Sequence, residues 1–407
     1  MEKIGIIGAG ASGLVTAIFA KSNNNEVIIF ERNNVCGKKI LATGNGRCNY
    51  FNSDNNLIHY ESSNPDLISE LIKEKTEKET LDFFNRLGII PQIKNGYYYP
   101  FSNQASTIRN VLLEEAKRKG IIIYNDFLVT DIKRDNNKFI VISNEEKVIV
   151  DRLVIATGSY ASPKTGSNGM GYNFLKNMGH SIIKVLPSLV QLKTKGNFLK
   201  TWTGVRTQAV VSLYEDNKFV RSEEGELQLT DYGISGICVF NLSNKAARSL
   251  DNNKKVDICI NFLPFINEDY NNWFINQTDL TNKNINVLLL SILNEKIVEV
   301  IRKESKINVN KKFNELDNDE QNKLISLCTN FKLEVIGTKS FNESQVCSGG
   351  IPLTEVNLST MESKIINNLY ITGELLDITG DCGGYNLGIA WRTGIIAGTS
   401  IKGDNND

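Results

Sequence analysis

Residues 3–31 read KIGIIGAGASGLVTAIFAKSNNNEVIIFE: an apolar run, a glycine turn, a small-residue helix pattern, and a second apolar run that ends in an acid. Taken as strand, turn, helix and strand, the stretch gives each glycine its own steric task. Gly8 permits the tight turn, Gly10 lets backbone approach a pyrophosphate, and Gly13 lets the helix pack closely on the strand. The NH groups of Ala11, Ser12 and Gly13 open the helix, have no partner inside it, and face the phosphates. Glu31 closes the second strand 18 residues after Gly13 (31 − 13). An acid there hydrogen-bonds ribose hydroxyls and repels a 2′-phosphate, so the stretch predicts a Rossmann-type α/β site for FAD or NAD rather than NADP.

The whole chain fits a globular protein of two or three domains, with 407 residues, 41% of them apolar and 23% charged. Its 46 basic and 46 acidic residues cancel, so no global field draws in nucleic acid or an anionic membrane, and neither is expected as a partner. Seven cysteines form no C-x-x-C pair and there are two histidines, which predicts free thiols in a reducing cytoplasm and no metal site. No apolar run approaches the roughly 20 residues that span a bilayer. Glycines interrupt the N-terminal one, which reads as structure and not as an address. Disorder is expected only at the GDNND tail, residues 403–407.

After Glu31 comes RNNVCGKKILATGNGRCNYFN, residues 32–52, long and basic enough to read as a functional loop. Arg32, Lys38, Lys39 and Arg47 bring positive charge for phosphates, and Gly44 and Gly46 let backbone pass close to a ligand; a solvated basic loop is the other reading. Residues 64–119 read as helical around an aromatic strand at GYYYPFS, and residues 121–151 as a strand and a meander. RLVIATGSYASPKTGSNGMGY, residues 152–172, is a buried strand running into a second glycine-rich loop, without the pattern of a second dinucleotide domain. From Pro187 alternating segments suggest antiparallel strands, and GELQLTDYGISGICVFNLS, residues 225–243, continues that pattern. Residues 267–332 carry a helical stripe through Leu289, Ile292, Leu293, Ile297 and Val300. LYITGE, residues 369–374, is a short strand ending in Gly373 and Glu374. GGYNLGIAWRTGIIAG, residues 383–398, is a glycine turn and a helix with Gly384, Tyr385 and Asn386 at its start. A helix N-terminus carries partial positive charge, and aimed at the pyrimidine edge of a flavin it stabilises the anion formed on reduction.

Together GAGASGL, ERNNVCGKKILATGNGRCN, YYPFSNQAS, ATGSYASPKTGSNGMGY, PSLVQL, GELQLTDYGISG, TMESK and GELLDITGDCGGYNLGIAWRTG resemble the BaiN-like family of bacterial NAD(P)/FAD-dependent oxidoreductases, also called aminoacetone oxidase-like flavoproteins. The resemblance runs from residue 4 to residue 400. It implies a Rossmann-type split FAD-binding domain, residues 1–186 and 348–407, with an inserted β-barrel substrate domain, residues 187–266 and 333–347, and a small helical domain, residues 267–332. By motif match it implies that Gly8, Gly10, Ser12 and Gly13 meet the pyrophosphate and Glu31 the adenosine ribose. Lys39, Thr43, Gly44, Gly46 and Arg47 line the flavin side, Val129 meets adenine through its backbone, and Ala156, Thr157 and Gly158 lie over the dinucleotide. Gly373 and Glu374 meet the ribityl and pyrophosphate, and Tyr385, Asn386 and Leu387 face the isoalloxazine. Leu229, Thr230 and Asp231 stand where many relatives have Phe-Thr-His, and Ile237 stands where proline often follows the serine-glycine pair.

The implied activity is transfer of hydride between NAD(P)H, as a transient donor, and a small organic substrate through FAD, with reduction of a conjugated enone as one form. The loop after Glu31 holds no histidine for covalent attachment, so the FAD is expected to be non-covalent. Tyr385 is read as either proton donor or packing residue. The alternative functions are a flavoprotein acting on tRNA and a non-catalytic FAD-binding scaffold.

Overall fold

The computed structural model describes residues 1–72 and 74–403. The expected disordered tail falls largely on residues 404–407, outside the described residues. The chain divides into two compact units, one of residues 1–186 and 345–403 and the other Pro187–Ser344. Each has a hydrophobic core of its own.

The first unit is built on a seven-stranded sheet in the order Val356–Asn357, Glu362–Ser363, Leu369–Ile371, Arg152–Ile155, Glu2–Ile7, Asn25–Phe30 and Ile122–Tyr124. The strand Glu2–Ile7 runs parallel to both neighbours, with Ile4 opposite Val27 and Ile6 opposite Val154. All four of these side chains are fully buried. A strand in the middle of a parallel sheet is covered on both faces, which is why its sequence is an apolar run and not an alternation. Leu369–Ile371 pairs in parallel with Arg152–Ile155, so the last part of the chain completes a sheet begun by the first.

The helix Ala11–Ala20 packs along the closing helix Tyr385–Lys402. Gly394 and Gly398 allow that approach: a Cβ at Gly394 would lie 2.8 Å from the Ser12 carbonyl oxygen, and one at Gly398 2.6 Å from that of Thr16. Residues 131–150 form an antiparallel meander of three strands, Asp131–Asp135, Lys138–Ile142 and Lys147–Val150.

The second unit holds a closed six-stranded barrel in the order Leu192–Thr194, Gly233–Ser235, Lys218–Leu229, Arg206–Glu215, Val256–Asn261 and Phe331–Thr338. Along Arg206–Glu215 burial alternates, with Ala209, Val211 and Leu213 inside. This is the period of two that an antiparallel strand with one covered face requires. Phe331 and Lys332, expected with the helical part, belong to the last barrel strand, and residues 345–347, expected with the barrel, fall in the first unit.

The strand pattern expected to continue through residue 243 ends at Ser235. Ile237–Asp251 is a helix of 15 residues. Gly236, at φ 114°, turns the chain where any Cβ would meet the Glu226 carbonyl oxygen at 2.3 Å. Beyond it Cys238, Val239, Leu242 and Ala246 are buried at helical spacing. The stripe Leu289–Val300 is split over two helices, Ile285–Ile292 and Glu295–Ser305, because Asn294 stops to cap the second by accepting from Lys296 NH.

Candidate cofactor site

The glycines of the opening turn separate by what surrounds them. A Cβ at Gly8, whose φ is 104°, would lie 2.5 Å from the Ala156 carbonyl oxygen, and one at Gly13 2.0 Å from that of Gly8. Both serve the fold. A Cβ at Gly10 would meet nothing within 4 Å. The first helix begins its ladder with Leu14 NH donating to the Gly10 carbonyl, and neither a capping side chain nor an acid occupies its first turn. Its positive end is therefore bare, beside a backbone stripped of side chain.

Glu31 lies buried at the end of the second strand. Its Oε2 accepts from Ala9 NH at 2.8 Å, and its Oε1 accepts from Asn33 NH at 2.8 Å and Asn33 Nδ2 at 2.7 Å. The carboxylate thus ties the glycine turn to the chain that leaves the strand. Phe127 NH donates to the Glu31 carbonyl, which brings the stretch containing Val129 beside the acid. Asn33 Nδ2 donates to the Thr165 carbonyl and Arg32 to that of Gly166, so the second glycine loop, with Thr157 and Gly158 at its start, closes on the same end.

The segment read as a loop after Glu31 contains a short helix, Lys38–Ala42, and a 3₁₀ turn, Thr43–Gly46. Gly37 NH donates to the Ala9 carbonyl and holds the segment against the glycine turn. Lys38 and Arg47 are exposed, Arg47 lying over the Tyr99 ring at 5.5 Å. Thr43 Oγ1 donates to the Ile40 carbonyl. Lys39 Nζ pairs with Glu374 Oε2 at 2.6 Å, while Glu374 Oε1 accepts from Cys347 NH. The positive charge of Lys39 is thereby matched inside the protein. Gly373, at φ 71°, leaves no room for a side chain, since a Cβ would stand 2.6 Å from Ser12 Oγ.

At the closing helix Gly384 takes the left-handed conformation, and the first ladder bond is Gly388 NH to the Gly384 carbonyl. No side chain caps this end and no acid lies in its first turn. Gly388 is buried, yet a Cβ there would meet nothing within 4 Å, so space is kept beside the helix start. The Asn386 side chain turns back and clasps Gly380, accepting its NH at 2.9 Å and donating to its carbonyl at 2.8 Å. Tyr385 packs inward, stacked on His59 at 4.7 Å and edge-on to Tyr60 at 5.4 Å. Burial pushes its phenol well up, which holds the proton tightly and favours the packing reading over the donor.

Burial also pushes the Cys48 and Cys347 thiols up to about 12, away from the thiolate form a nucleophile needs. His180 bridges Glu355 and Ser363, but Ser363 Oγ accepts from Ile365 NH and Ile366 NH, so this buried chain of contacts is a pin and not a nucleophile with its base. Sequence reasoning missed His59. Its ring nitrogens lie 3.0 Å from Asp381 and 3.0 Å from Asp54, and no spacing in the sequence announces that cluster.

Two bare helix ends, a glycine without neighbours, a buried acid beside the turn and an open space over Gly388 fit a dinucleotide with its two ends apart. The HI0933-like protein Rossmann domain model matches residues 2–400. The chain belongs to that family. It is 38% identical over 403 residues to a 3-dehydro-bile acid delta(4,6)-reductase of Clostridium scindens, covering 98% of both chains. It is 27% identical over 397 residues to a ribosomal RNA dihydrouridine synthase of Escherichia coli, covering 95% of both. In fold it is similar to 3-ketosteroid delta1-dehydrogenase of Sterolibacterium denitrificans, with a TM-score of 0.53 at 9% identity over 99% of this chain and 100% of that one. The BaiN-like resemblance is borne out, and this HI0933-like protein is an FAD-dependent oxidoreductase. Among its described residues no helix is long and apolar enough to cross a membrane.

Proposed function

We propose that the protein reduces a carbon–carbon double bond conjugated to a carbonyl in a small organic substrate, with NAD(P)H as electron donor and FAD held non-covalently. The observation that carries this reading is the cradle around Gly10, bare of side chain and opening an uncapped helix end, in a chain 38% identical to a relative named 3-dehydro-bile acid delta(4,6)-reductase. FAD, when bound, supplies the hydride.

The residues divide the remaining work. The NH groups of Ala11, Ser12 and Gly13 hold the pyrophosphate, and Glu31 accepts from the adenosine ribose. Lys39 and Glu374 form a neutral pair that orders the flavin side without adding net charge. The NH groups opening the closing helix, at Tyr385, Asn386 and Leu387, meet the pyrimidine edge, and Asn386 fixes the turn before them. Tyr385 packs there and keeps its proton.

Anaerobic addition of NADH and of NADPH to the yellow protein, followed by a 3-oxo-Δ4 steroid, tests the reading. Bleaching by the donor and recovery of colour with saturation of the double bond is expected. A flavin that no donor reduces, or that no enone reoxidises, would sink it.

A second reading is reduction of uridine in RNA. It is favoured by the relatives named ribosomal RNA dihydrouridine synthase in Escherichia coli and Haemophilus influenzae, at 27% and 26% identity. The double bond of uracil is also conjugated to a carbonyl, so the two readings share a reaction and differ in what carries the substrate. Dihydrouridine appearing in ribosomal RNA treated with the reduced protein, with enones left untouched, would decide for it.

A further inference from the structure

We infer that His59 is a positioning residue of the flavin site, which sets the charge and the register at the N-terminus of the closing helix through Asp381 and Tyr385. The inference rests on the reading that places the flavin's pyrimidine edge at that helix end.

Three contacts join His59 to the helix start and the turn before it, and its neighbour Tyr60 adds a fourth. Its Nδ1 lies 3.0 Å from Asp381 Oδ2, and its carbonyl accepts from Asp381 NH at 2.9 Å. Its ring stacks on Tyr385, the first residue of the helix, with an interplanar angle of 20°. The next residue, Tyr60, pairs antiparallel with Gly380. From the helix side, Trp391 Nε1 donates to the Tyr50 carbonyl and Arg392 Nη2 to Asn55 Oδ1, so the segment that carries His59 is also held by two adjacent residues of the helix. Asn52 Nδ2 donates to the Gly383 carbonyl. The position of the helix start is thus written in contacts to residues 50–60, with His59 at their centre.

The charges give His59 more than a structural part. Asp381 is 8% exposed in its side chain and Asp54 57%. Carboxylate oxygens only accept, so the contact to the nearly buried Asp381 is made by a proton on Nδ1. Asp381 places a nearly buried negative charge four residues before Tyr385, at a helix end whose dipole favours negative charge on its ligand. The Nδ1–H that His59 donates offsets part of that charge. With it removed, the Asp381 carboxylate opposes more strongly the negative charge that reduction adds to the flavin.

His59→Phe keeps a ring for Tyr385 to stack on and removes both ring nitrogens. With FAD occupancy confirmed by absorbance, its flavin is expected to be harder to reduce by tenfold or more in the reduced-to-oxidised ratio, about 30 mV for a two-electron couple. His59→Phe combined with Asp381→Asn removes the carboxylate charge as well and is expected to bring the potential back toward wild type. His59→Gln, which retains one donor, falls between. Equal potentials in wild type and in the filled His59 variants, or a double variant no closer to wild type than His59→Phe, overturns the inference while leaving the functional reading intact. Loss of FAD from both single variants also overturns it, since that is what a purely structural residue does. A wild-type protein that takes up no FAD overturns the functional reading, and the inference falls with it.

Discussion

Glu31 has two oxygens and three donors within the protein, so it serves the fold as well as the ribose contact proposed for it. Glu31→Arg removes the acceptors and buries a cation in their place. FAD affinity is expected to fall roughly tenfold or more, the scale of one charge-assisted hydrogen bond of about 1.5–3 kcal/mol. The melting temperature of the apoprotein falls with it, because Ala9 NH and Asn33 lose their partner. An FAD titration with an unchanged dissociation constant would reduce Glu31 to a strand end. The glycines make a sharper pair. Gly10→Ala is expected to weaken FAD binding while leaving the apoprotein's melting temperature within a degree or so, whereas Gly13→Ala lowers that temperature before any ligand is added. The reverse order would mean that Gly10 is not facing the cofactor. These residues are legible in the sequence because their tasks are local, each settled within a turn or a strand. His59 is not, since its two acids lie 5 and 322 residues away and only the folded chain brings them together.

Between elements, the first helix and the closing one approach closely enough to exclude a side chain at Gly394 and Gly398. Gly398→Val drives a branched side chain into Thr16 and Phe19, where even a Cβ would stand 2.5 Å from the Phe19 Cβ. Overpacking of that kind costs about 1–3 kcal/mol. The first helix carries the cradle, so FAD affinity is expected to fall together with the melting temperature. A variant as stable as wild type would show that the helices part freely. The closing helix itself is legible from Gly384 and the apolar run after Tyr385, but its seam against the first helix is not, because a glycine four residues from another says nothing about which partner it meets. The helix Ile237–Asp251 is hidden for another reason: the strand signal of residues 225–235 runs into it, and the change of period begins only after Gly236.

At the scale of the whole molecule, the two cores share no residue. Calorimetry is expected to show two unfolding transitions. FAD at about a hundred times its dissociation constant should stabilise the first unit by about 2.7 kcal/mol and leave the other in place. A single transition that moves as a whole on adding FAD would show instead that the units unfold together. That the nucleotide fold is divided around an insertion is legible from the motifs at both ends of the chain; that the inserted strands close into a barrel is implied by the family resemblance and not by their own pattern, which leaves register to the folded pairing. The division also sets an order in time. When a ribosome has finished Leu186, the strand Arg152–Ile155 still lacks its neighbour Leu369–Ile371 and the first helix lacks the helix it packs on. The insertion of 158 residues (344 − 187 + 1) must be synthesised first. At about 5–20 residues per second that is a wait on the order of ten to thirty seconds. Through it the glycine cradle is made but not yet backed, so nascent chains stalled inside the insertion should emerge colourless, and the yellow of the flavin should arrive only with the last helix.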